Sequence, residues 1–311
     1  MARMADDTIF WIALANAPGV GPATFDALCR RFGGPDGVFA ARPDELDRVT
    51  GLRADTAVAL REPGPLLDAA RRMADELGRE GVRVVTAVAP EYPAALRDLR
   101  RPPPVLYVYG PLTASDEPGF AVAGSSTASD RGRQIARRSG GELAEAGRTV
   151  VSGYARGVDE EAHRGALEAG GRTVLVLPTG VRSFRLRDKL GRFAEEVGGR
   201  ITLVSECPPD DAWSSRAAVL RDRLIAALGR GLLVVEARPD GGTMITFRHA
   251  VRMGRPAYVA RYRRAPSGAT GNRVAIRAGG IPVRSMAELR NVVRARTLPR
   301  KAPKAVQGDL F

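Results

Sequence analysis

Residues 119–163, GFAVAGSSTASDRGRQIARRSGGELAEAGRTVVSGYARGVDEEAH, decide the fold of this 311-residue chain. They show a strand, a turn of small residues and a helix, followed by a second strand that leads into a second helix. The turns carry Gly124-Ser125-Ser126 and Ser152-Gly153. Because the first N–H groups of a helix lack partners within the helix and its dipole favours negative charge, such turns can form an anion cradle. The pattern predicts a ligand that carries phosphate.

The alternation of strands and helices continues through the second half of the chain. Crossovers of this kind join parallel strands that are covered on both faces. The sequence therefore predicts an α/β fold with a Rossmann-like doubly wound parallel sheet, whose ligands bind beyond the carboxyl ends of the strands. The predicted strands lie near residues 120–124, 148–152, 172–177, 200–205, 231–236 and 256–260.

The residues that follow the predicted strands exclude some classes of ligand. No GxGxxG motif follows the first strand and no acidic residue closes the second, so the usual NAD or FAD site is not expected. A Walker A motif is also missing, which argues against a P-loop ATPase. Small and hydroxyl residues recur after the strands instead, where a nucleotide or a nucleic-acid backbone could bind. We expect no cofactor and no metal ion.

The charge distribution favours a nucleic acid as the partner. The formal net charge is +13, whereas residues 1–76 hold 9 Arg against 12 Asp or Glu, a net of −3, so the rest of the chain carries +16. An alternative explanation for the many arginines is a GC-rich genome, whose codon usage favours this residue. Cys29 and Cys207 are isolated, which makes a disulfide framework or a zinc site unexpected. With no signal region and no apolar run of about 18 residues, we expect a cytoplasmic protein without membrane contact.

A small all-α domain is predicted at the beginning of the chain. Residues 8–32 resemble a helix-hairpin-helix (SAM-like) element, with Gly19 and Gly21 in its turn and Pro22 at the start of its second helix. The negative local charge favours a structural module here, and we assign it no DNA contacts. The predicted domains are a helical domain at 1–76, an extended Rossmann-like domain at 77–288 and a basic flexible tail at 289–311.

Motifs spread over residues 9–285 resemble the DNA-processing protein A (DprA, also called Smf) family. They include YPAALRDLRRPPPVLYVYG, VVSGYARGVDEEAHRGALEAGGRTVLVLPTG, RDRLIAALGRGLLVVEA and GGTMITFRHAVRMGRPAYV, in the order and spacing of that family. The resemblance implies a non-enzymatic protein that binds single-stranded DNA, forms a homodimer and helps to load a RecA-type recombinase. A C-terminal winged-helix domain, which many relatives carry, is not expected here.

The resemblance also implies a DNA-phosphate pocket, carried over residue by residue onto matching positions. Arg221 and Arg223 match an Arg-Asn-Arg motif, and Asn272 matches a Gly-x-Asn motif. The implied pocket consists of Gly124, Ser125, Ser152, Gly153, Arg156, Gly157, Asp159, His163, Arg221, Arg223, Gly242, Thr243, Thr246 and Asn272.

The chain departs from the family pattern at several positions. Ser126 stands where the family has a phosphate-binding arginine, and Asp222 stands where it has asparagine. Residues 181–187 form a basic segment in place of a Tyr-Pro segment. These changes predict either a DNA path shifted toward Arg182, Arg185, Arg187 and Lys189 or a divergent subfamily with another ligand. Ser126 itself is kept among the predicted phosphate-binding residues.

Several polar residues allow a catalytic interpretation and a structural one. Asp159 and His163 lie four residues apart on one helix, but a histidine that braces the loop is favoured over an acid-base pair. Glu206 and Glu236 end strands, where they could hold a metal ion or activate water. No third ligand completes such a site, so we expect both glutamates to pair with nearby arginines.

The chain ends in QGDLF, which resembles the peptide that docks on the DNA polymerase sliding clamp. In this interpretation Leu310 and Phe311 fill an apolar pocket, and Gln307 with Asp309 contacts its rim. The alternative is an end without a function.

Two further functions remain open at this point. One is a nucleotide-processing enzyme similar to phosphoribohydrolases, and the other is a nucleotide-sensing module of a defence or mobile-element system. The leading hypothesis is a single-stranded DNA-binding protein that protects the strand and assists recombinase loading in recombination, uptake or transformation.

Overall fold

The chain divides into two compact units. A computed structural model describes residues 2–112, 119–196 and 199–294. The first unit ends at Tyr109, and the second begins at Gly110. Within the described ranges, no helix combines the length and the apolar character needed to cross a bilayer.

The first unit is mostly helical. Its elements are α1 (Ala2–Ala15), α2 (Pro22–Phe32), α3 (Pro35–Ala40), α4 (Pro43–Asp47), α5 (Ala54–Arg61), α6 (Gly64–Arg79), β1 (Val82–Thr86), α7 (Ala94–Arg97) and β2 (Val105–Tyr109). Helices α1 and α2 form the predicted hairpin, in whose turn Gly19 has a φ of +71°. Pro22 lies in the first turn of α2, where the missing N–H costs nothing. Leu14, Phe25 and Leu28 are buried between the helices of this unit.

The first unit extends beyond the predicted domain boundary at residue 76. Strands β1 and β2 pair antiparallel, with Val84 opposite Tyr107. The Tyr107 hydroxyl accepts a hydrogen bond from Asn16 Nδ2 at 2.9 Å and lies 3.9 Å from Met73 Sδ. Val84 packs against an apolar cluster that contains Ile12. The hairpin formed by β1 and β2 belongs to the first unit because it covers apolar side chains of α1 and α6.

The second unit alternates strands and helices. Its elements are β3 (Gly119–Ala123), α8 (Asp130–Glu145), β4 (Val150–Ser152), α9 (Val158–Glu168), β5 (Thr173–Val176), α10 (Asp188–Gly191), β6 (Ile201–Ser205), α11 (Ser215–Leu228), β7 (Gly229–Val234), α12 (Gly242–Arg252), β8 (Ala257–Ala260), α13 (Thr270–Arg277), β9 (Ile281–Val283) and α14 (Met286–Arg294). The six strands predicted for this unit are all present, and β9 is an additional one.

The described strands of the second unit form a parallel sheet in the order β6-β5-β4-β3-β7-β8-β9. Every residue of β3, β5 and β6 is buried, as expected for a sheet that helices cover on both faces. Helix α8 packs against α9 and α14, and α12 packs against α11 and α13. The predicted doubly wound fold is confirmed. The strand order reverses between β3 and β7.

The predicted flexible tail begins too early, because residues 286–294 form helix α14. Leu289 and Val293, one helical turn apart, are buried in the core of the second unit. Arg290 Nε donates to Glu142 Oε2 on α8 at 2.7 Å. The basic residues of this segment predict a solvated tail. Leu289 and Val293 on one face of the helix instead pack it against the second unit. Residues 295–311 lie outside the described ranges.

Candidate nucleic-acid interface

A cavity of about 310 Å³ opens at the carboxyl edge of the parallel sheet. It lies where the strand order reverses, between β3 and β7, which is where doubly wound folds bind their ligands. The turn after β3, the start of α9, the middle of α11 and the loop from β7 to α12 line it. We call it the switch-point cavity, and its lining residues come from 123–127, 155–159, 218–225 and 238–246.

Glycines allow the turns after β3 and β4 to approach closely beside this cavity. A Cβ atom on Gly124 would lie 2.4 Å from Val158 Cγ2, and one on Gly157 would lie 2.4 Å from the Ser125 carbonyl oxygen. Gly157 has a φ of +78°, a conformation that residues with a Cβ atom rarely adopt. The Val158 N–H donates to the Ser125 carbonyl at 3.3 Å. The two turns are therefore fixed against each other.

Arg221 forms one wall of the cavity and is held in place. Its side chain is buried, and Nη1 donates to the Val176 carbonyl oxygen at 2.7 Å. A Cβ atom on Gly153 would lie 1.7 Å from the same Nη1, so the guanidinium occupies the space that a larger residue would fill. A guanidinium presents several donors in a rigid fork, which suits Arg221 to a phosphate group.

Two carboxyl groups lie beside Arg221. Asp222 Oδ1 is 3.4 Å from Arg221 Nε, and Asp159 Oδ2 accepts from the Ala155 N–H at 3.3 Å. Burial raises the pKa of both carboxyls, that of Asp222 to about 7. The Arg221 charge opposes this rise in both, and the Asp159 charge adds to it in Asp222. Near neutral pH Asp222 is thus partly protonated, and protonation makes the cavity more positive.

Some N–H groups at the start of α8 and α9 already have partners within the protein. The Ser129 N–H donates to Glu236 Oε2 at 3.0 Å, and Ser129 Oγ accepts from the Gly132 N–H at 3.0 Å. At α9, the Val158 N–H is bound to Ser125. Neighbouring loops and a buried carboxylate satisfy these donors, so an anion at either helix start would have to use the remaining N–H groups.

The N-terminus of α12 opens at the cavity, as does the start of α9. Gly241 caps it without a side-chain hydrogen bond, and Gly242 and Thr243 line the cavity. Because no cap side chain covers this end, its N–H groups and dipole can face a bound anion. Helix α12 therefore adds a third helix start to the two that the sequence predicts.

The cavity brings together part of the predicted site and adds to it. The predicted residues that line it are Gly124, Ser125, Ser126, Asp159, Arg221, Gly242, Thr243 and Thr246. Thr127 and Arg238 also line it but were missed. Arg238 is exposed, and its Nη2 donates to Thr127 Oγ1 at 3.0 Å. Thr127 directly follows Ser126, and Arg238 lies between Glu236 and Gly242. Each residue lies in a loop that follows a predicted strand, and this position is the sequence signal that could have identified both.

Three predicted residues support the interior and do not line the cavity. Ser152 Oγ donates to the Val122 carbonyl at 2.5 Å, and His163 Nδ1 lies 2.6 Å from Thr173 Oγ1. Burial lowers the pKa of His163 to about 3. Asn272 binds three backbone groups, those of Val235, Ala237 and Ala260. All three side chains are buried, so we correct their predicted role in contacting phosphate; the bracing role of His163 agrees with its position.

The basic segment after β5 does not line the switch-point cavity either. Arg182 Nη1 donates to Asp210 Oδ2 at 3.3 Å, and Arg185 Nη1 donates to the Arg182 carbonyl at 2.7 Å. Arg156 is exposed and also lies outside the lining. The side chain of Lys189 falls outside the described part of the chain. A path of DNA toward this segment stays a prediction.

The strand-end glutamates take part in two different structures. Glu206 pairs with Arg223, as predicted, and both side chains are largely buried. Glu236 does not pair with an arginine in the described contacts; it accepts hydrogen bonds from Ser129 and, at 3.4 Å, from the Tyr262 hydroxyl. Among the residues that the structure describes, no three His, Cys, Asp or Glu side chains are grouped for metal binding.

Comparison with known proteins identifies the family. The family model of DNA recombination-mediator protein A matches residues 83–294, which is more than half of the chain. The chain belongs to this family. The family-level resemblance predicted from the motifs is therefore confirmed.

Relatives in the family match over much of the chain. Protein Smf of Synechocystis is 30% identical over 80% of this chain and 63% of its own length. Protein Smf of Escherichia coli is 31% identical over 71% of this chain and 59% of its own length. DNA processing protein DprA of Bacillus subtilis is 28% identical over 58% of this chain and 60% of its own length. The chain thus spans less than two thirds of these relatives.

Solved structures show the same fold. DNA processing protein A of Streptococcus pneumoniae superposes with a TM-score of 0.73 at 23% identity, covering 90% of this chain and 96% of its own. DNA processing protein A of Helicobacter pylori, described for its single-stranded DNA binding mode, gives a TM-score of 0.59 at 23% identity, with 68% and 94% coverage. Both similarities establish the architecture that surrounds the switch-point cavity.

Two departures from the family pattern lie in this cavity. Ser126 is exposed at its lining, and Asp222 is buried in it. A Cβ atom on Gly242 would lie 3.6 Å from Asp222 Oδ2, which places the carboxyl near the start of α12. Ser126 and Asp222 thus bring a hydroxyl and a carboxyl group to the cavity, neither of which adds positive charge. The proposed clamp-binding residues Gln307, Asp309, Leu310 and Phe311 lie outside the described ranges.

Proposed function

We propose that this protein binds the phosphate backbone of single-stranded DNA at the switch-point cavity and acts as a recombination mediator without catalytic turnover. The observation that carries the proposal is the convergence of Arg221, Arg238 and the open N-terminus of α12 on one cavity. Membership of the recombination-mediator family supports it.

The two arginines have complementary roles in this proposal. Arg221 is buried and hydrogen-bonded to backbone, so it offers a preorganised donor group. Arg238 is exposed and can adjust to the path of a strand. Serine and threonine hydroxyls between them can donate to phosphate oxygens as well. Together they provide contacts that follow a backbone, not a base sequence.

The cavity indicates weak sequence preference. None of its described lining residues is aromatic, whereas strand-tracking proteins that read or stack bases use aromatic side chains. Binding should therefore depend on phosphate charge, with the logarithm of affinity falling by about 0.7 per contacted phosphate for each unit of log salt concentration.

Membership of the family supports the partners that we propose. We propose that the protein forms a homodimer, protects single-stranded DNA and assists the loading of a RecA-type recombinase in recombination, uptake or transformation. A contact between QGDLF and the sliding clamp is a separate part of the proposal. Relatives named DNA processing protein DprA occur in Bacillus subtilis and Streptococcus pneumoniae, which supports the DNA-directed role.

A second candidate is a nucleotide hydrolase. Asp159 and Asp222 lie beside a buried arginine, and both have raised pKa values. Carboxyl groups with raised pKa values in a cavity are a feature of general acid catalysts. The first candidate is preferred because the chain belongs to the recombination-mediator family.

A binding titration with a matched control distinguishes these functions. Fluorescence anisotropy of a labelled oligo-dT strand would be measured at two salt concentrations with the wild-type protein, Arg238→Ala and Arg101→Ala. Arg101 is an exposed loop arginine of the first unit. We expect weaker binding for Arg238→Ala alone, by about tenfold, since one charge-assisted hydrogen bond is lost. Equal affinity of all three proteins would refute the site. Chromatography of a nucleotide panel incubated with the protein would reveal base or phosphate release if the second candidate holds.

A further inference from the structure

A second cavity, of about 370 Å³, lies between α8, α14 and the loops that follow β8 and β9. No residue lines both this cavity and the switch-point cavity. Six arginines from three separate segments surround it. We call it the basic cavity, and its arginines are Arg131, Arg138, Arg261, Arg263, Arg264 and Arg284.

The positive charge of the basic cavity is not balanced by its own lining. No Asp or Glu is among the described residues that line it. Arg284 has an ion pair with Glu288 at 3.7 Å, which is long and exposed. Glu142, which the charge of Arg138 also influences, is hydrogen-bonded to Arg290 instead. Like charges gathered in one concavity repel one another and attract anions, so the cavity favours a ligand with more than one negative charge.

The arginines of this cavity differ in their surroundings from many others in the chain. Arg137, on the same helix, donates to Glu168 through Nε and Nη2, at 2.6 and 2.8 Å. Arg200 is likewise paired with Glu196. Such pairs neutralise a surface. The basic cavity retains its charge at the carboxyl edge of β8 and β9, where an α/β sheet presents its ligand sites.

The floor of the basic cavity is apolar. Leu233, Val283 and Leu289 are buried there, and Ile135 and Met286 are partly buried beside them. Tyr262 also lines the cavity, and its hydroxyl lies 3.4 Å from Glu236 Oε1. The volume falls within the range of about 300–1,000 Å³ that small-molecule sites have. An apolar floor below a ring of guanidinium groups matches a ligand with a flat, weakly polar part and several anionic oxygens.

We propose that the basic cavity is a second nucleotide-binding site, which holds the phosphates of a nucleotide with its arginines and the base against its apolar floor. Guanidinium groups bind phosphate and carboxylate oxygens bidentately. A chain of phosphates carries more negative charge than a carboxylate, which suits a cavity with six arginines. The nucleotide can be free or part of a strand. This site goes beyond the proposed function and does not depend on binding at the switch-point cavity.

Isothermal titration calorimetry with defined probes tests the site. The probes are dATP, inorganic tripolyphosphate and a hexaglutamate peptide, and the test variant is Arg263→Glu with Arg264→Glu. The matched control is Arg100→Glu with Arg101→Glu, a second pair of adjacent exposed loop arginines with the same change in charge. Circular dichroism would confirm that both variants fold.

The expected result is that dATP binds the wild-type and control proteins equally and the test variant at least about tenfold more weakly, because two charge-assisted contacts are reversed. We expect dATP to bind more tightly than tripolyphosphate, since the base adds apolar contact. Equal affinity for dATP in the test and control variants overturns the site. Tripolyphosphate as tight as dATP overturns the role of the floor, and preference for hexaglutamate overturns the ligand class.

A competition experiment separates the two sources of the nucleotide and keeps the two cavities apart. In this experiment oligo-dT is added to the Arg238→Ala protein with dATP bound. If oligo-dT displaces dATP, the basic cavity also binds nucleotides that are part of a strand. Oligo-dT that leaves dATP bound identifies free nucleotide, and both results support the site. Failure of strand binding at the switch-point cavity would leave dATP binding unchanged, so the two proposals fail separately.

Discussion

The guanidinium of Arg221 occupies the space above Gly153, where an added Cβ atom would lie 1.7 Å from Nη1. A methyl group at this position must displace the arginine, because Arg221 is buried and held by the Val176 carbonyl. We expect Gly153→Ala to weaken binding of oligo-dT by about tenfold, as one charge-assisted contact is misplaced. The stability cost should be about 1–3 kcal/mol, as for other overpacked sites.

Gly78→Ala is the matched control for this substitution. Gly78 lies in α6, and a Cβ atom there would have no neighbour within 4 Å. Its strand affinity should equal that of the wild-type protein in an anisotropy titration. If Gly153→Ala also binds normally while remaining folded, Arg221 does not hold the phosphate.

The protonation of Asp222 should make strand binding pH-dependent. Its pKa of about 7 arises mainly from burial, and the groups that act on it are Arg221, Asp159 and the hydroxyl of Thr246. Below pH 7 the carboxyl is neutral and above it the carboxyl repels phosphate, so affinity should fall between pH 6 and pH 8. Asp222→Asn, which is neutral at every pH, should bind at pH 8 as tightly as at pH 6. Anisotropy titrations at constant ionic strength at these two pH values test this, and an unchanged pH profile in the variant would contradict it.

The same carboxyl should affect stability with the opposite sign to most aspartates. Because its pKa is higher in the folded protein than the ordinary aspartate value of 3.8, the folded state binds more protons between about pH 4 and 7. The contribution of Asp222 to the free energy of unfolding is therefore full below pH 4 and is lost as pH rises to 7. Asp222→Asn should gain stability relative to wild type as the pH increases over this window. Urea denaturation at pH 5 and pH 8 measures the difference, which should grow with pH.

Ser126→Arg should strengthen DNA binding at the switch-point cavity. Ser126 is exposed and lines the cavity, so a longer side chain can reach solvent and a bound phosphate. One additional phosphate contact should make the salt slope steeper by about 0.7. Ser214→Arg, at an exposed helix cap, controls for the added charge. A slope that is unchanged, or equally steep in both variants, would argue against a phosphate at Ser126.

Ser129→Ala should destabilise the second unit strongly. Ser129 caps α8 by accepting from the Gly132 N–H, and its side chain also donates to the buried carboxylate of Glu236. Loss of the cap costs about 1 kcal/mol, and loss of one of the hydrogen bonds to the buried carboxylate costs about 1–3 kcal/mol more. Ser214 caps α11, and no described hydrogen bond joins its side chain to a carboxylate. Ser214→Ala should therefore cost only the cap contribution of about 1 kcal/mol. Equal losses in urea denaturation would show that Glu236 does not depend on Ser129.

Local patterns predicted the strands and helices of the second unit with good accuracy. The alternation of apolar runs from β3 to β8 is visible in sequence because each buried parallel strand is continuously apolar. The sequence predicts a tail from residue 289, inside helix α14, since Arg290 and Arg294 give this segment a basic composition. Its two buried apolar residues, Leu289 and Val293, are a weak signal without α8 to pack against.

Sequence and tertiary structure determined different things about this protein. The sequence by itself determined the family, the doubly wound fold and the strand ends at which a ligand site would lie, because these follow from periodicity and motif order. Only the tertiary structure decided which polar residues face the cavity. His163 and Asn272 have hydrogen-bonding side chains, as Thr243 does, yet their hydrogen bonds are made to buried groups of the protein. Arg238 reaches the cavity because β7 lies beside β3, a long-range pairing that sequence spacing does not encode.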